Sequence, residues 1–160
     1  RINMIYEGTN TIQSLDLPGR KVLADNGKKL KAFGKRIAEF IEEEGVHEQM
    51  QEFVNPLADL GDKVTKLTTE LGMKAFANPD EVGAAAVDYL RVVGHLCFAY
   101  LFARMAKIAL AKQGSGDPFY TAKLATARFY FAKLLPETAA LIRSARAGVA
   151  PLMAMDEALF

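Results

Sequence analysis

The run MQEFVNPLADLGDKVTKLTTEL, residues 50–71, decides the fold. In it Met50, Phe53, Val54, Leu57, Leu60, Val64, Leu67 and Leu71 recur in steps of three and four. That spacing lines one face of an α-helix and cannot line one face of a strand. The pattern predicts a helix over about residues 47–74, kinked or starting late at Pro56, whose ring removes a backbone donor. Its neighbours carry the same period. Upstream, after Asp25-Asn26-Gly27, residues 28–44 place Leu30, Phe33, Ile37, Phe40 and Ile41 on one face. Lysines precede that stretch and Glu42, Glu43 and Glu44 end it, an order that opposes the helix macrodipole. Downstream, Asn78-Pro79-Asp80-Glu81 supplies a cap, a proline and acids for the start of a fourth helix running to about Lys112.

Gln113-Gly114-Ser115-Gly116 breaks that helix, and Asp117-Pro118 opens a fifth, which Pro136 bends and Gly148 ends. A short helix from Thr9 or Asn10, with Asn10 and Gln13 imitating a capping box, leads in and weakens at Pro18-Gly19. No stretch alternates as a half-buried strand does. The expectation is an all-α fold, an antiparallel up-and-down four-helix bundle preceded by a short lead-in helix, because short connections make neighbouring helices run in opposite directions. On the fourth helix the apolar face is read as Leu90, Val93, Leu96, Cys97, Tyr100, Leu101 and Ile108, with Asp88, Arg91, Arg104 and Lys107 towards water. The final stretch, 149–160, holds Leu152, Met153, Met155, Leu159 and Phe160, which solvent would not suit, so it is expected to pack on something, another subunit included.

Composition narrows the function classes. With 160 residues, 51% of them hydrophobic, the chain can build one real core. Its formal net charge is +1, with basic and acidic residues interleaved, which argues against a nucleic-acid partner. Cys97 is the single cysteine, so a disulfide framework is excluded and a reducing, cytoplasmic compartment is expected. The apolar run Val92 to Ala103 is shorter than the ~20 residues a membrane span needs. The chain opens Arg1-Ile2-Asn3-Met4-Ile5, which reads as cut from something longer.

Most chemistry-bearing residues invite ordinary readings. His47 and His95 lack a second ligand at i+3 or i+4, so no metal site is expected; His47 reads as a surface or cap residue and His95 as a satisfied core histidine. Glu42, Glu43 and Glu44 point around their helix and read as a solvated face. Cys97 reads as a small buried hydrophobe. Gly114-Ser115-Gly116 lacks the lysine of a phosphate loop and reads as a link. Phe119, Tyr120, Phe129, Tyr130 and Phe131 read as core.

The opening Ile5-Tyr6-Glu7-Gly8-Thr9-Asn10-Thr11-Ile12-Gln13 is more specific. It resembles the acyl-CoA dehydrogenase family, in which a Tyr-Glu-Gly-Thr segment enters a helix of the C-terminal domain. The continuation through Lys21 looks like the branch with an extra C-terminal helical domain, which includes the 3-methylmercaptopropionyl-CoA dehydrogenases. The resemblance implies two parts: residues 1–24, the end of the dehydrogenase helical domain, and residues 25–160, the additional bundle. It implies that Glu7 is the base removing the α-proton of an acyl-CoA thioester and that Gly8 lets the backbone approach the substrate. It also implies that Thr9, Asn10 and Thr11 touch FAD, although Thr11 stands where many relatives carry glutamine. The electron acceptor would be one such as electron-transfer flavoprotein, and the enzyme a homo-oligomer.

The residue type suits the task, because a weakly acidic α-proton calls for a desolvated carboxylate and a hydrogen bond to the developing enolate oxygen. By the same resemblance the Glu7 backbone N–H and a flavin ribityl hydroxyl would supply that bond, and the β-hydride would pass to the flavin. The acyl pocket and most of the flavin site would lie outside this sequence, leaving the chain inactive alone. A different class of function is a non-catalytic docking or oligomerisation module with the apolar tail as its contact surface.

Overall fold

The structure, a computed structural model, describes residues 9–159. Six α-helices follow one another: α1 Asn10–Asp16, α2 Lys28–Glu44, α3 Gln51–Ala77, α4 Asp80–Ala111, α5 Pro118–Phe129 and α6 Thr138–Ala147. No strand occurs among the described residues. The all-α bundle expected from the period is present.

The local signals operate as their chemistry dictates. Asn78 Oδ1 accepts from Asp80 N at 3.0 Å and Asp117 Oδ1 from Phe119 N at 2.8 Å, each satisfying a donor that a helix start leaves unpaired. Helix α3 starts late, at Gln51, behind the single 3-10 turn Glu48–Met50, so Pro56 lies inside its second turn. Pro18 sits in a π-helical turn, Leu17–Val22, that carries the chain out of α1. Around Pro136 the fifth helix is interrupted by a π turn, Tyr130–Leu134, and a 3-10 turn, Leu135–Glu137, before α6 resumes.

Side-chain pairs fix the directions. Thr68 meets Tyr89 and Lys74 meets Glu81, so α3 and α4 are antiparallel. His95 meets Tyr130 and Arg91 meets Glu137, so the α5–α6 arm runs back along α4. Glu52 and Glu70 on α3 hold Arg128 and Arg146 through two-pronged contacts, so α3 and that arm are parallel. Phe33 and Phe40 of α2 meet Tyr100 edge-on at 5.6 Å, and Glu44 meets Lys107; α2 therefore runs with α4.

The core forms where the leucine face of α3, with Phe53, Leu57 and Leu67 fully buried, meets α4. Here the face expected for α4 needs correcting. Its innermost stripe is Ala85, Tyr89, Val92, Leu96, Ala99, Ala103 and Ala106, whereas Leu101 and Ile108 are 54% and 57% exposed. Alanines win that position because several helices crowd against α4 and only small side chains let their backbones approach. Apolar residues are spread around α4 and its charges do not mark a single outer face, so hydrophobicity could not select its inner side. By length and composition Asp80–Ala111 could also cross a bilayer. Within this fold α4 is the helix on which α1, α3, α5 and α6 pack.

Candidate functional site

Glu7 and Gly8 lie outside the described residues. The description begins at Thr9, the N-cap of α1, whose carbonyl accepts from Gln13 N at 3.1 Å. Thr9, Asn10 and Thr11 are all exposed at the start of α1. The segment is anchored below. Ser14 is buried and donates to Thr11 O at 2.7 Å, and Leu15 packs over Gly83 of α4, its Cδ2 lying 3.9 Å from where a Cβ on that glycine would sit. Val22 then enters the core. The sequence that follows the Tyr-Glu-Gly-Thr motif is thus part of the bundle wall.

Elsewhere the titratable groups serve the fold. His95 is satisfied, as expected: Nδ1 lies 3.0 Å from Tyr130 Oη, and Nε2 3.1 Å from Glu137 Oε2, which Arg91 also holds through the other oxygen. Tyr130 Oη donates to His95 O at 3.0 Å. Burial holds the Tyr130 phenol well above its ordinary range, with the nearby Cys97 adding to the effect. Burial also raises the Cys97 thiol, which suppresses the thiolate a nucleophile needs. His47 is exposed. No cluster of metal-binding side chains occurs among the described residues.

Two other readings need correcting. Glu44 is not solvated: it is 5% exposed and meets Lys107 Nζ at 2.5 Å. Glu42 and Glu43 stay exposed while Glu44 falls on the inward side of α2, and Lys107 answers it from α4 while offsetting the negative end of α2. The aromatic group is split. Tyr130 is buried, and Tyr120 and Phe131 pack against the core, but Phe119 and Phe129 are 55% and 57% exposed. The feature that sequence reasoning missed is an apolar groove of about 860 Å³ between α2 and α3; the glycines at 34 and 61 were its only trace in the sequence.

Residues 33–156 match the family described as Acetyl-CoA dehydrogenase C-terminal like. The chain belongs to this family. Over its whole length this family member is 29% identical to a broad-specificity linear acyl-CoA dehydrogenase of Mycobacterium tuberculosis, covering 28% of that protein. Over 88% of its length it is 34% identical to a 3-methylmercaptopropionyl-CoA dehydrogenase of Ruegeria pomeroyi, covering 24% of it. A butyryl-CoA dehydrogenase of Syntrophomonas wolfei is 26% identical, with 27% of its length covered. The domain thus spans about a quarter of the length of the curated relatives it matches, and the resemblance carried by its opening motif is to the same family.

Proposed function

We propose that this chain is the C-terminal part of a flavin-dependent acyl-CoA dehydrogenase, to which it contributes the catalytic base and a helical domain. The observation that carries this reading is continuity. The Tyr6-Glu7-Gly8-Thr9 motif runs directly into α1, and α1 is packed on the central helix of a domain whose family occurs in acyl-CoA dehydrogenases. In this reading residues 1–24 belong to the catalytic helical domain and residues 25–160 are the addition.

The Glu7 carboxylate takes the α-proton of the acyl-CoA, its backbone N–H donates to the thioester carbonyl as negative charge gathers there, and Gly8 keeps side-chain bulk away from the substrate. Bound FAD supplies the acceptor for the β-hydride, and the product is a trans-2-enoyl-CoA. Thr9, Asn10 and Thr11, exposed at the start of α1, fit an edge contact to that cofactor, hydroxyl and amide groups being suited to phosphate and ribityl oxygens. The rest of the flavin site and the surface for an acceptor such as electron-transfer flavoprotein belong to the longer protein, which this reading places in the cytoplasm as a homo-oligomer.

The test is Glu7→Gln in the full-length parent with FAD retained. Loss of flavin bleaching on adding acyl-CoA is expected, and undiminished bleaching removes Glu7 from the mechanism. The chain alone, mixed with FAD and acyl-CoA, should show no turnover.

A second reading, a docking or oligomerisation module, is favoured by the tail, where Leu152, Met153, Met155 and Leu159 are 65%, 74%, 58% and 76% exposed. Sedimentation with and without residues 149–160 tests it, and an unchanged monomer in both cases discards it.

A further inference from the structure

The residues that α4 turns away from its own bundle are themselves in register. Val87, Gly94, Phe98, Leu101, Met105 and Ile108 recur at intervals of three, four and seven, the spacing by which one helix meets another along a seam. None of the six is charged, and Val87, Phe98, Leu101 and Ile108 are 49%, 55%, 54% and 57% exposed. Helix α2 seats on α4 at Tyr100 and Lys107, and the α5–α6 arm at His95 and Phe102. With about 100° of turn per residue, the stripe falls in the arc between these two. Leu15 of α1 borders its N-terminal end at Gly83. From Val87 to Ile108 the stripe is about 32 Å long, at about 1.5 Å per residue.

Bulk is distributed unevenly along it. The C-terminal half carries Phe98, Leu101, Met105 and Ile108, whereas the N-terminal half carries Ala84, Val87 and Gly94, with Leu90 at its margin. A parallel copy of the helix would set bulk against bulk. An antiparallel copy, with a two-fold axis beside residue 96, sets Phe98 over Gly94, Met105 over Val87 and Ile108 over Ala84, and brings Leu101 beside Leu90. Each of these contacts then occurs twice, as a two-fold interface requires. The same register brings Asp80, at the start of α4, to Lys112 just past its end. Both are exposed, and neither has an ion-pair partner among the described residues. Opposed helix dipoles favour that arrangement as well. Size and charge thus select one register.

We propose that this face of α4 pairs with the same face of a second copy of the chain, the two helices antiparallel about a two-fold axis beside residue 96. The occupant is a second copy because self-pairing is what requires the two ends of one helix to complement each other in both size and charge. Burial of the exposed apolar stripe drives the association. The pairing uses residues 80–112, contains neither the Glu7 motif nor the tail 149–160, and stands or falls separately from both readings above.

The test is sedimentation equilibrium of the 160-residue chain at micromolar concentrations, where a dimer is expected. Gly94→Leu, at a position where an added Cβ meets no neighbour within 4 Å, should weaken the dimer by roughly tenfold or more through overpacking against Phe98 of the second copy. The thermal midpoint of the dilute chain should hold or rise, leucine being the better helix former. Adding Phe98→Ala to Gly94→Leu moves the bulk to the other side of the same contact and should restore the dimer, a rescue that a parallel pairing would not give. A monomeric wild type overturns the proposal, as does a dimer that Gly94→Leu leaves intact. Loss of the dimer on removing residues 149–160 also overturns it, by making the tail the contact surface. In the full-length parent Gly94→Leu should lower the mass of the assembly; an unchanged mass means that the parent's own chain covers the stripe, and the proposal falls. If Gly94→Leu does not fold, Leu101→Lys at its exposed position decides: a lost dimer supports the pairing and a retained one dismisses it.

Discussion

Gly148 makes room for Glu81. A Cβ at position 148 would lie 2.5 Å from Glu81 Oε2, and Gly148 ends α6 at φ 73°, ψ −163°, a conformation that only glycine adopts readily. Around this point Arg146 O accepts from Lys74 Nζ at 3.0 Å and Arg146 grips Glu70, so the ends of α3, α4 and α6 are joined there. Gly148→Ala should therefore destabilise the chain by about 2–3 kcal/mol through strain and displacement of Glu81. Urea titration would register this as a lower midpoint with an unchanged slope.

The corrected inner face of α4 predicts unequal costs for equal chemistry. Leu96→Ala removes a buried side chain of α4 and should cost about 3–4 kcal/mol. Leu101→Ala, at a half-exposed position, should cost under about 1 kcal/mol. Matching losses in denaturant melts would restore the face first read from the sequence.

Stability should fall on the alkaline side. The Glu44 carboxylate beside Lys107 holds that ammonium above its ordinary 10.5, and burial raises the Tyr89 phenol above 10.0, an effect the hydrogen bond with Thr68 partly counters. Both folded-state values are raised. Each contribution is therefore complete below the unfolded value and is lost as pH climbs through the folded one. The thermal midpoint should hold up to about pH 10 and drop beyond it. Tyr89→Phe should make that drop shallower, at a cost of about 1 kcal/mol near neutrality for the lost bond to Thr68. An equally steep alkaline limb in that variant would rule out Tyr89 as a contributor.

Tyr130→Phe removes the hydroxyl that serves both the ring and the carbonyl of His95. With the partly buried ring nitrogen left without that partner, a loss of about 1–2 kcal/mol is expected, together with a moved His95 ring resonance in NMR spectra. An unmoved resonance would mean that the contact is not formed in solution.

Sequence by itself determined the helices. Three-and-four periodicity in α2 and α3, the caps at Asn78 and Asp117, and the stops at Gly116 and Gly148 act within a turn or two of chain, so local spacing was enough to read them. It also carried the family resemblance, through nine consecutive residues at the opening. Only the tertiary structure decided which side of α4 turns inward, that Glu44 points at Lys107, that Phe119 and Phe129 face out, and that α2 and α3 stand apart around Gly34 and Gly61. Each of these depends on how closely helices distant in sequence can approach, and along α3 and α4 that distance is set by the volumes of the facing side chains together, alanine against leucine.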